Sequence, residues 1–260
     1  MSGFPSQYGP WTVVTGAAQG VGLAYVEALH ARGVAVVLVD RDPVVADVAA
    51  GLAGETRAVV ADLAQPGWLD DVAAACDGLE VGLAVANAAV SFVGRFLDQP
   101  LASIEATVAV NCLATTQLAA WALPPMVERG RGGFVVTSSG SALAGTAAVT
   151  TYSASKAYGI NLAEAIGWEV RGTGVDTLAV VAPAMDTPGW RSHPVAEDRM
   201  LQPAADPRSV VEGALDHLPE GGRFLADAGL EYVAGMERRA RVDLLSQTTS
   251  ALYPVEYGEG

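Results

Sequence analysis

Short apolar runs rich in β-branched residues alternate with longer Ala-rich segments along almost the whole chain. Six such runs predict strands, at residues 11–14, 35–39, 57–60, 83–86, 133–137 and 176–181. Amphipathic segments between them predict helices, notably at residues 20–32, 65–76, 101–129 and 151–171. Strands that are apolar on both faces fit a parallel sheet covered by helices. We therefore expect an α/β protein with a single doubly wound parallel sheet and helices on both faces, whose strands end at one ligand-binding edge.

Composition narrows the class of protein further. The chain has 260 residues, 51% of them apolar, and 15 basic against 29 acidic residues give a net charge of −14. That length and the even composition predict one domain spanning residues 1–260. The acidic balance argues against a nucleic-acid partner, because phosphate-binding surfaces are basic.

The first ten residues, the cysteines and the histidines allow predictions about cellular location and metal binding. Residues 1–10 have no basic and apolar pattern of a signal peptide, and no stretch approaches the roughly 18 uninterrupted apolar residues of a spanning helix. Two cysteines are too few for a disulfide framework. We therefore expect a cytoplasmic protein without a membrane partner. The three histidines are far apart in sequence, so we expect no metal site.

A glycine-rich turn follows the first predicted strand, in the sequence Thr-Gly-Ala-Ala-Gln-Gly-Val-Gly that starts at Thr15. Glycines at this place allow a tight strand-to-helix turn and the close approach of a pyrophosphate to the helix N-terminus. The spacing alone also fits an ordinary tight turn. The predicted cofactor-binding residues of this turn are Gly16, Gln19, Gly20, Val21 and Gly22.

An acidic residue, Asp40, ends the second predicted strand, 24 residues after Gly16. A carboxylate at this position can accept hydrogen bonds from both adenosine ribose hydroxyls and would repel a 2′-phosphate. The next residue, Arg41, could instead favour that phosphate. We expect NAD rather than NADP as the cofactor, with both residues in its site.

Tyr152 and Lys156 stand four residues apart in a predicted helix, and so on one face of it. A nearby ammonium group lowers the pKa of a phenol and makes it a usable general acid and base. Lys156 is the only lysine among 15 basic residues. A third polar residue, Ser139, ends a predicted strand 13 residues before Tyr152 and could hold a substrate carbonyl against it.

Taken together, these residues resemble the short-chain dehydrogenase/reductase (SDR) family of the classical type, over roughly residues 11–190. The resemblance implies a Rossmann fold and assigns a proton-transfer role to Tyr152, substrate orientation to Ser139, and ribose binding to Lys156. It also implies that Asn111 holds a proton-relay water and that Thr187 contacts the carboxamide. Further cofactor contacts implied in the same way are Asp62, Leu63, Asn87 and Ala88.

Three segments depart from the family pattern, one of which is the C-terminal stretch at residues 223–227, which lacks the usual family ending. The family's Asn-Asn-Ala-Gly run is here Ala-Asn-Ala-Ala, with an extra methyl group at Ala89 near the cofactor. After the sixth predicted strand, the family's Pro-Gly pair is replaced around Pro183 and Ala184, which leaves the register of Thr187 open.

Residues 184–207 are Pro-rich and irregular, and we expect them to form a substrate lid. Apolar residues expected at the substrate favour a cyclic, terpenoid or steroid-like alcohol or ketone; they are Phe92, Val93, Leu143, Trp190, Met200 and Leu201. Basic lid residues could instead meet a carboxylate or an acyl carrier, namely Arg191, His193 and Arg199.

The favoured function is therefore an NAD-dependent alcohol dehydrogenase or ketone reductase acting on a small molecule. Two alternatives stay open: a reductase of an acyl-type or carboxylate-bearing carbonyl substrate, and a non-catalytic dinucleotide-binding regulator. The resemblance also implies a homo-oligomer, a tetramer or dimer, paired through the two long helices at residues 101–129 and 151–171. The last predicted elements are one helical segment at residues 230–252 and an acidic tail at residues 256–260.

Overall fold

Seven parallel strands form one sheet in the order β3-β2-β1-β4-β5-β6-β7 in the computed structural model, which describes residues 3–200, 202–255 and 257. The chain reverses its direction of growth between β1 and β4, and at such a point the carboxyl ends of the strands leave a crevice. The strands are β1 Trp11–Thr15, β2 Ala35–Asp40, β3 Thr56–Val60, β4 Val81–Ala86, β5 Gly132–Ser139, β6 Val175–Ala182 and β7 Gly222–Leu225. The predicted fold class is confirmed.

Helices connect the strands and cover both faces of the sheet. They are α1 Phe4–Tyr8, α2 Gly20–Ala31, α3 Val45–Gly51, α4 Trp68–Ala75, α5 Leu101–Val108, α6 Thr115–Arg129, α7 Thr150–Glu169, α8 Pro188–Arg191, α9 Pro207–His217, α10 Ala228–Gly235 and α11 Arg238–Leu252. A π-helical turn, Ala109–Ala114, joins α5 to α6.

Two separate apolar cores lie on the two faces, because successive strand residues point in opposite directions. On one face, Val13 and Phe134 pack with Leu118 of α6 and Ile160 of α7. On the other face, the core contains residues of α2, α3 and α9, such as Leu29 and Val211. The helices that carry the predicted turn and the predicted Tyr/Lys pair therefore approach the same sheet edge from opposite faces.

The 29-residue helical run Leu101–Arg129 is apolar enough, by length and mean hydropathy, to cross a membrane. Half of that window is buried in the domain, with Leu118, Ala122 and Met126 packed in the sheet core. The run serves as a core helix of this fold.

The structure corrects the sequence predictions near the C-terminus. The predicted single helix at residues 230–252 is two helices, because Met236 is extended and the Glu237 carboxylate caps α11 by accepting from Arg239 N and Ala240 N at 2.8 and 3.2 Å. Strand β7 was not predicted, since its four residues are short and only partly buried. The acidic tail lies outside the described residues, except for Tyr257.

The segment predicted as a lid contains the short helix α8 and is fixed at its base. Met185 and Ala205 form a parallel bridge, in which Ala205 N donates to Ala184 O at 2.8 Å and Asp186 N donates to Ala205 O at 3.0 Å. The two ends of the segment are thus held together directly after β6. Leu201 lies outside the described residues.

Candidate active site

A cleft of about 600 Å³ opens at the carboxyl edge of the sheet. All but one of the predicted site residues line it. They are Gly16, Gln19, Gly20, Val21, Gly22, Asp40, Arg41, Asp62, Leu63, Asn87, Ala88, Ser139, Tyr152, Lys156 and Thr187. The exception is Asn111. The topology therefore collects residues from β1 to β6 at one place, as the sequence predicted.

The glycine turn has the geometry that a tight strand-to-helix connection needs. Gly16 adopts a φ of +67°, which residues other than glycine rarely adopt. A Cβ on Gly22 would lie 1.8 Å from the Gly16 carbonyl oxygen, so only glycine lets α2 begin this close to β1. The turn leaves the N-terminal end of α2 open to the cleft, where backbone N–H groups favour an anion.

Asn87 joins the end of β4 to the glycine turn. Its Nδ2 donates to Thr15 O at 3.0 Å and to Gly16 O at 3.3 Å. The Thr15 Oγ1 accepts from the backbone N–H groups of Asn87 and Ala88 at 3.0 and 3.1 Å. The extra methyl group of Ala89 brings no left-handed backbone strain, because Ala148 is the only non-glycine residue with a positive φ in the described ranges.

Asp40 is held in place by two backbone donors. Its Oδ2 accepts from Ala18 N and its Oδ1 from Asp42 N, each at 3.0 Å. The first bond ties the end of β2 to the glycine turn, so the carboxylate faces the cleft from a fixed position. Arg41 lies beside it on the exposed rim.

Tyr152, Lys156 and Ser139 meet at the inner end of the cleft. Lys156 is only 7% exposed, its Nζ donates to Thr137 O at 2.7 Å, and it lies 5.7 Å from the centre of the Tyr152 ring. Ser139, at the end of β5, accepts from Ser141 N at 3.3 Å and from Ser141 Oγ at 3.1 Å. The Ser139 hydroxyl thus caps the short helical turn that follows β5, while Ser138 Oγ donates to Lys156 O.

The pKa of Tyr152 is shifted in the direction opposite to the sequence expectation. Burial in the cleft raises its pKa to about 12, the Ser139 hydroxyl beside it acts to lower it, and the Tyr253 phenol raises it further. Burial also lowers the pKa of Lys156 to about 8. The protein by itself therefore holds Tyr152 as a neutral phenol, a proton donor for a substrate oxygen.

Asn111, to which the resemblance assigns a proton-relay water, does not line the cleft. It is 4% exposed in the π-helical turn, its Oδ1 accepts from Val90 N at 2.9 Å, and its Nδ2 donates to Val90 O and Ser155 Oγ at 3.0 and 2.9 Å. Ser155 Oγ in turn donates to Tyr152 O at 2.7 Å. The Asn111 side chain thus fixes the turn of α7 that carries Tyr152.

Thr187 lies against the glycine turn, since a Cβ on Gly20 would be 3.3 Å from the Thr187 Cβ. Its hydroxyl accepts from Trp190 N at 3.2 Å and begins α8. The altered sequence around Ala184 therefore still brings a threonine to the cofactor end of the cleft.

The basic lid residues have partners within the protein. Arg191 pairs with both carboxylate oxygens of Asp186, Arg199 Nη1 contacts Ala251 O at 3.4 Å, and His193 Nε2 contacts Ser91 Oγ at 3.2 Å. Of the three, Arg191 is the one whose charge is paired with a carboxylate.

Several residues that line the substrate side of the cleft were not predicted. They are Val149, Leu230, Leu245, Thr249, Leu252 and Tyr253. Of the apolar residues that were predicted there, Trp190 and Val93 line the cleft, whereas Phe92, Leu143 and Met200 do not. Most of the residues that sequence reasoning missed lie in α10, α11 and the residue after it, which no sequence motif marks.

A doubly wound sheet with this turn and this Tyr/Lys pair at one edge defines an oxidoreductase that binds a nicotinamide dinucleotide. The chain belongs to the short-chain dehydrogenase family, whose family model matches residues 10–197.

Two curated relatives and one solved structure extend the comparison. The chain is 30% identical to the 7beta-hydroxysteroid dehydrogenase of Collinsella aerofaciens, over 82% of this chain and 84% of that protein. It is 32% identical to the human very-long-chain 3-oxoacyl-CoA reductase over 66% of this chain, but it spans only 58% of that protein. A solved structure of a 7beta-hydroxysteroid dehydrogenase superposes with a TM-score of 0.84, at 25% identity, over 94% of this chain and 99% of the other.

Proposed function

We propose that this protein is an NAD(H)-dependent dehydrogenase that interconverts a secondary alcohol and a ketone on an apolar, polycyclic or steroid-like substrate. The observation that carries the proposal is that Ser139, Tyr152 and Lys156 share one cleft with apolar walls on its substrate side. The name of the bacterial hydroxysteroid dehydrogenase relative supports the same substrate class.

The residues of the cleft fit a dinucleotide from end to end. Asp40 suits the adenosine ribose, the open turn at Gly16 suits the pyrophosphate, and Lys156 suits the second ribose. When bound, the nicotinamide supplies or accepts the hydride. The protein's own part is to hold the substrate oxygen beside Ser139, and to give or take the proton of that oxygen at Tyr152 Oη.

The apolar substrate is supported by the apolar side chains that line the cleft. Four of these side chains are Val93, Leu230, Leu245 and Leu252. Their burial against a ligand is favourable when the surface of the ligand is apolar. The acyl alternative gains little support from the lid, because Arg191 is already paired with Asp186.

The experiment that tests the proposal is an assay of reduced nicotinamide absorbance with a panel of substrates. The panel contains a hydroxysteroid, its ketone, a simple cyclic alcohol and a 3-oxoacyl thioester, each with NAD(H) and NADP(H). We expect turnover of the polycyclic compounds with NAD(H). Turnover of the thioester alone would instead identify an acyl reductase, and no turnover with nucleotide binding retained would identify a regulator.

Exchange of Asp40 for asparagine tests the cofactor assignment. Asp40→Asn keeps an acceptor for Ala18 N but removes the charge, so we expect the ratio of kcat/KM for NAD to that for NADP to fall by about tenfold or more. The measurement is steady-state kinetics with both nucleotides. Asp47→Asn, in the first turn of α3, is the matched control. A wild type that already prefers NADP, or an unchanged ratio in Asp40→Asn, would refute the assignment.

We also propose that the protein works as a homo-oligomer, a tetramer or dimer, in the cytoplasm. Large apolar side chains stay exposed on the two long helical regions, among them Leu101, Leu113 and Trp168, with 68, 55 and 69% exposure. Burial of such a surface between copies favours association. Sedimentation at micromolar concentration tests this, and a purely monomeric profile would contradict it. Both Cys76 and Cys112 are free thiols, which suits a reducing compartment.

A further inference from the structure

The loop between Ser139 and Tyr152 contains a strained residue. Ala148 has a φ of +65°, and it is the one non-glycine residue with a positive φ in the part of the chain that the structure describes. The residue is almost fully buried, at 1% exposure. An alanine adopts such a φ at a cost in free energy, so the conformation persists only where surrounding contacts hold it.

Two hydrogen bonds from distant segments hold the turn that contains this residue. Gly94 N, in the loop after β4, donates to Ala148 O at 2.8 Å. Ala147 N donates to the Oγ of Ser246, a half-buried residue of α11, at 3.1 Å. Three of these four groups belong to the backbone, and the fourth is the Ser246 hydroxyl. A side chain of the C-terminal helix therefore helps to fix the backbone that leads into α7.

Local contacts hold the residues on either side of the turn. Thr146 Oγ1 donates to Ser141 O at 2.9 Å, and Ser153 N donates to Val149 O at 2.8 Å. The two peptide units between these points are held by the two distant bonds. Loss of the Ser246 bond would therefore let the strained turn relax, while the loop stays anchored at both ends.

The turn and its distant partners connect three walls of the substrate side of the cleft. Val93, Val149 and Leu245 all line the cleft. Each of them is the direct sequence neighbour of a residue that takes part in one of the two distant bonds. The three residues come from the loop after β4, the start of α7 and α11, so the two bonds set the spacing between walls that are far apart in sequence.

We propose that Ser246 is a positioning residue for the substrate. Its hydroxyl holds Ala148 in the strained conformation and so fixes the width of the apolar site between Val93, Val149 and Leu245. A rigid polycyclic ligand that touches all three walls gains affinity from walls that are already in place, whereas a small cyclic ligand does not. The inference rests on the proposed function for the reaction and adds a determinant of its substrate specificity.

A double-mutant cycle of Ser246→Ala and Ala148→Gly tests this role. Ser246→Ala removes the acceptor of Ala147 N, and we expect the KM for a polycyclic ketone to rise by about tenfold with kcat within about twofold. Ser246→Thr keeps a hydroxyl and should restore the KM. Ala148→Gly removes the strain, because glycine adopts a positive φ freely. In the Ala148→Gly background, Ser246→Ala should therefore raise the KM by less than about twofold.

Ser250→Ala is the matched control, since Ser250 lies one turn later on α11 and its hydroxyl donates to Tyr257 Oη at 3.1 Å. A simple cyclic ketone, assayed with the same proteins, should show almost the same KM in all of them. An unchanged KM for the polycyclic ketone in Ser246→Ala, or an equal rise for the small ketone, would overturn the proposal. An equal rise in both backgrounds of the cycle would also overturn it, because Ser246 would then not act through Ala148.

Hydrogen exchange at the Gly94 amide, resolved by NMR without any substrate, separates this inference from the proposed function. The amide is protected while Ala148 O stays in place. We expect its exchange to be about fivefold faster or more in Ser246→Ala, and to return towards the wild-type rate in the double variant. An unchanged rate in Ser246→Ala would overturn the positioning role even if ketones are reduced. The expected pattern in a protein that reduces no ketone would refute the dehydrogenase alone.

Discussion

Replacement of Tyr152 by phenylalanine is expected to lower kcat/KM by about 10³-fold, with the fold and the nucleotide affinity preserved. The phenol is the group at the inner end of the cleft that can hand a proton to the substrate oxygen, and Ser139 beside it cannot take over, since a serine hydroxyl is a much weaker acid. The raised pKa, about 12, keeps that proton on Tyr152 until a substrate arrives. The measurement is steady-state reduction of the best ketone of the panel.

Tyr158→Phe provides the control for this expectation. Tyr158 lies on the same helix, and its hydroxyl contacts Thr116 Oγ1 at 2.6 Å on an exposed surface. Its removal should leave activity within about twofold, because surface substitutions of this kind change little. If Tyr152→Phe retained most of the activity, the proton would have to come from another group and the proposed mechanism would be wrong.

Replacement of Lys156 by methionine is the second change with a large expected effect. The variant removes the charge that faces the ribose part of the cleft, and we expect kcat/KM to fall by at least about 100-fold. Lys156→Arg should not restore the activity, because a planar guanidinium does not fit the place where one compact ammonium reaches Thr137 O at 2.7 Å.

Lys156→Met should also change how the free energy of unfolding depends on pH. Burial lowers the pKa of Lys156 to about 8 from 10.5, so between these values the unfolded chain holds a proton that the native protein has lost. Stability of the wild type should therefore gain a contribution as the pH rises from about 8 to 10.5, and Lys156→Met should lack that gain. Chemical denaturation across this range measures it. An identical pH dependence in both proteins would show that the ammonium is not buried.

The sequence predicted the strands β1 to β6 and the residues at their carboxyl ends, because continuous apolar runs and glycine turns are local signals. Local signals failed where tertiary contacts decide. The contacts of the Asn111 amide with Val90 and Ser155 could not be predicted from the sequence, because these residues lie in other parts of the chain. The direction in which the Tyr152 pKa shifts depends on how deeply the cleft buries the phenol. The periodicity of the sequence contains no information about the depth of this burial.

The substrate side of the cleft was the part that could be predicted least. Tyr253 is ordinary in sequence, and only the folding of α11 back over the lid brings it near Tyr152. By contrast, Asp40 and the glycine turn were predictable, since a strand end and a tight turn fix both of them locally.

The segment between Ala184 and Ala205, whose two ends are bridged, separates two functional parts of the chain. Apart from Thr187, the residues assigned to the nucleotide and to proton transfer come before it in sequence, whereas much of the wall assigned to the substrate comes after it. Mutations in the final third can therefore alter which molecule is accepted while the redox machinery stays intact. Related proteins with this architecture can therefore evolve new substrate ranges while they keep the same catalytic and nucleotide-binding residues.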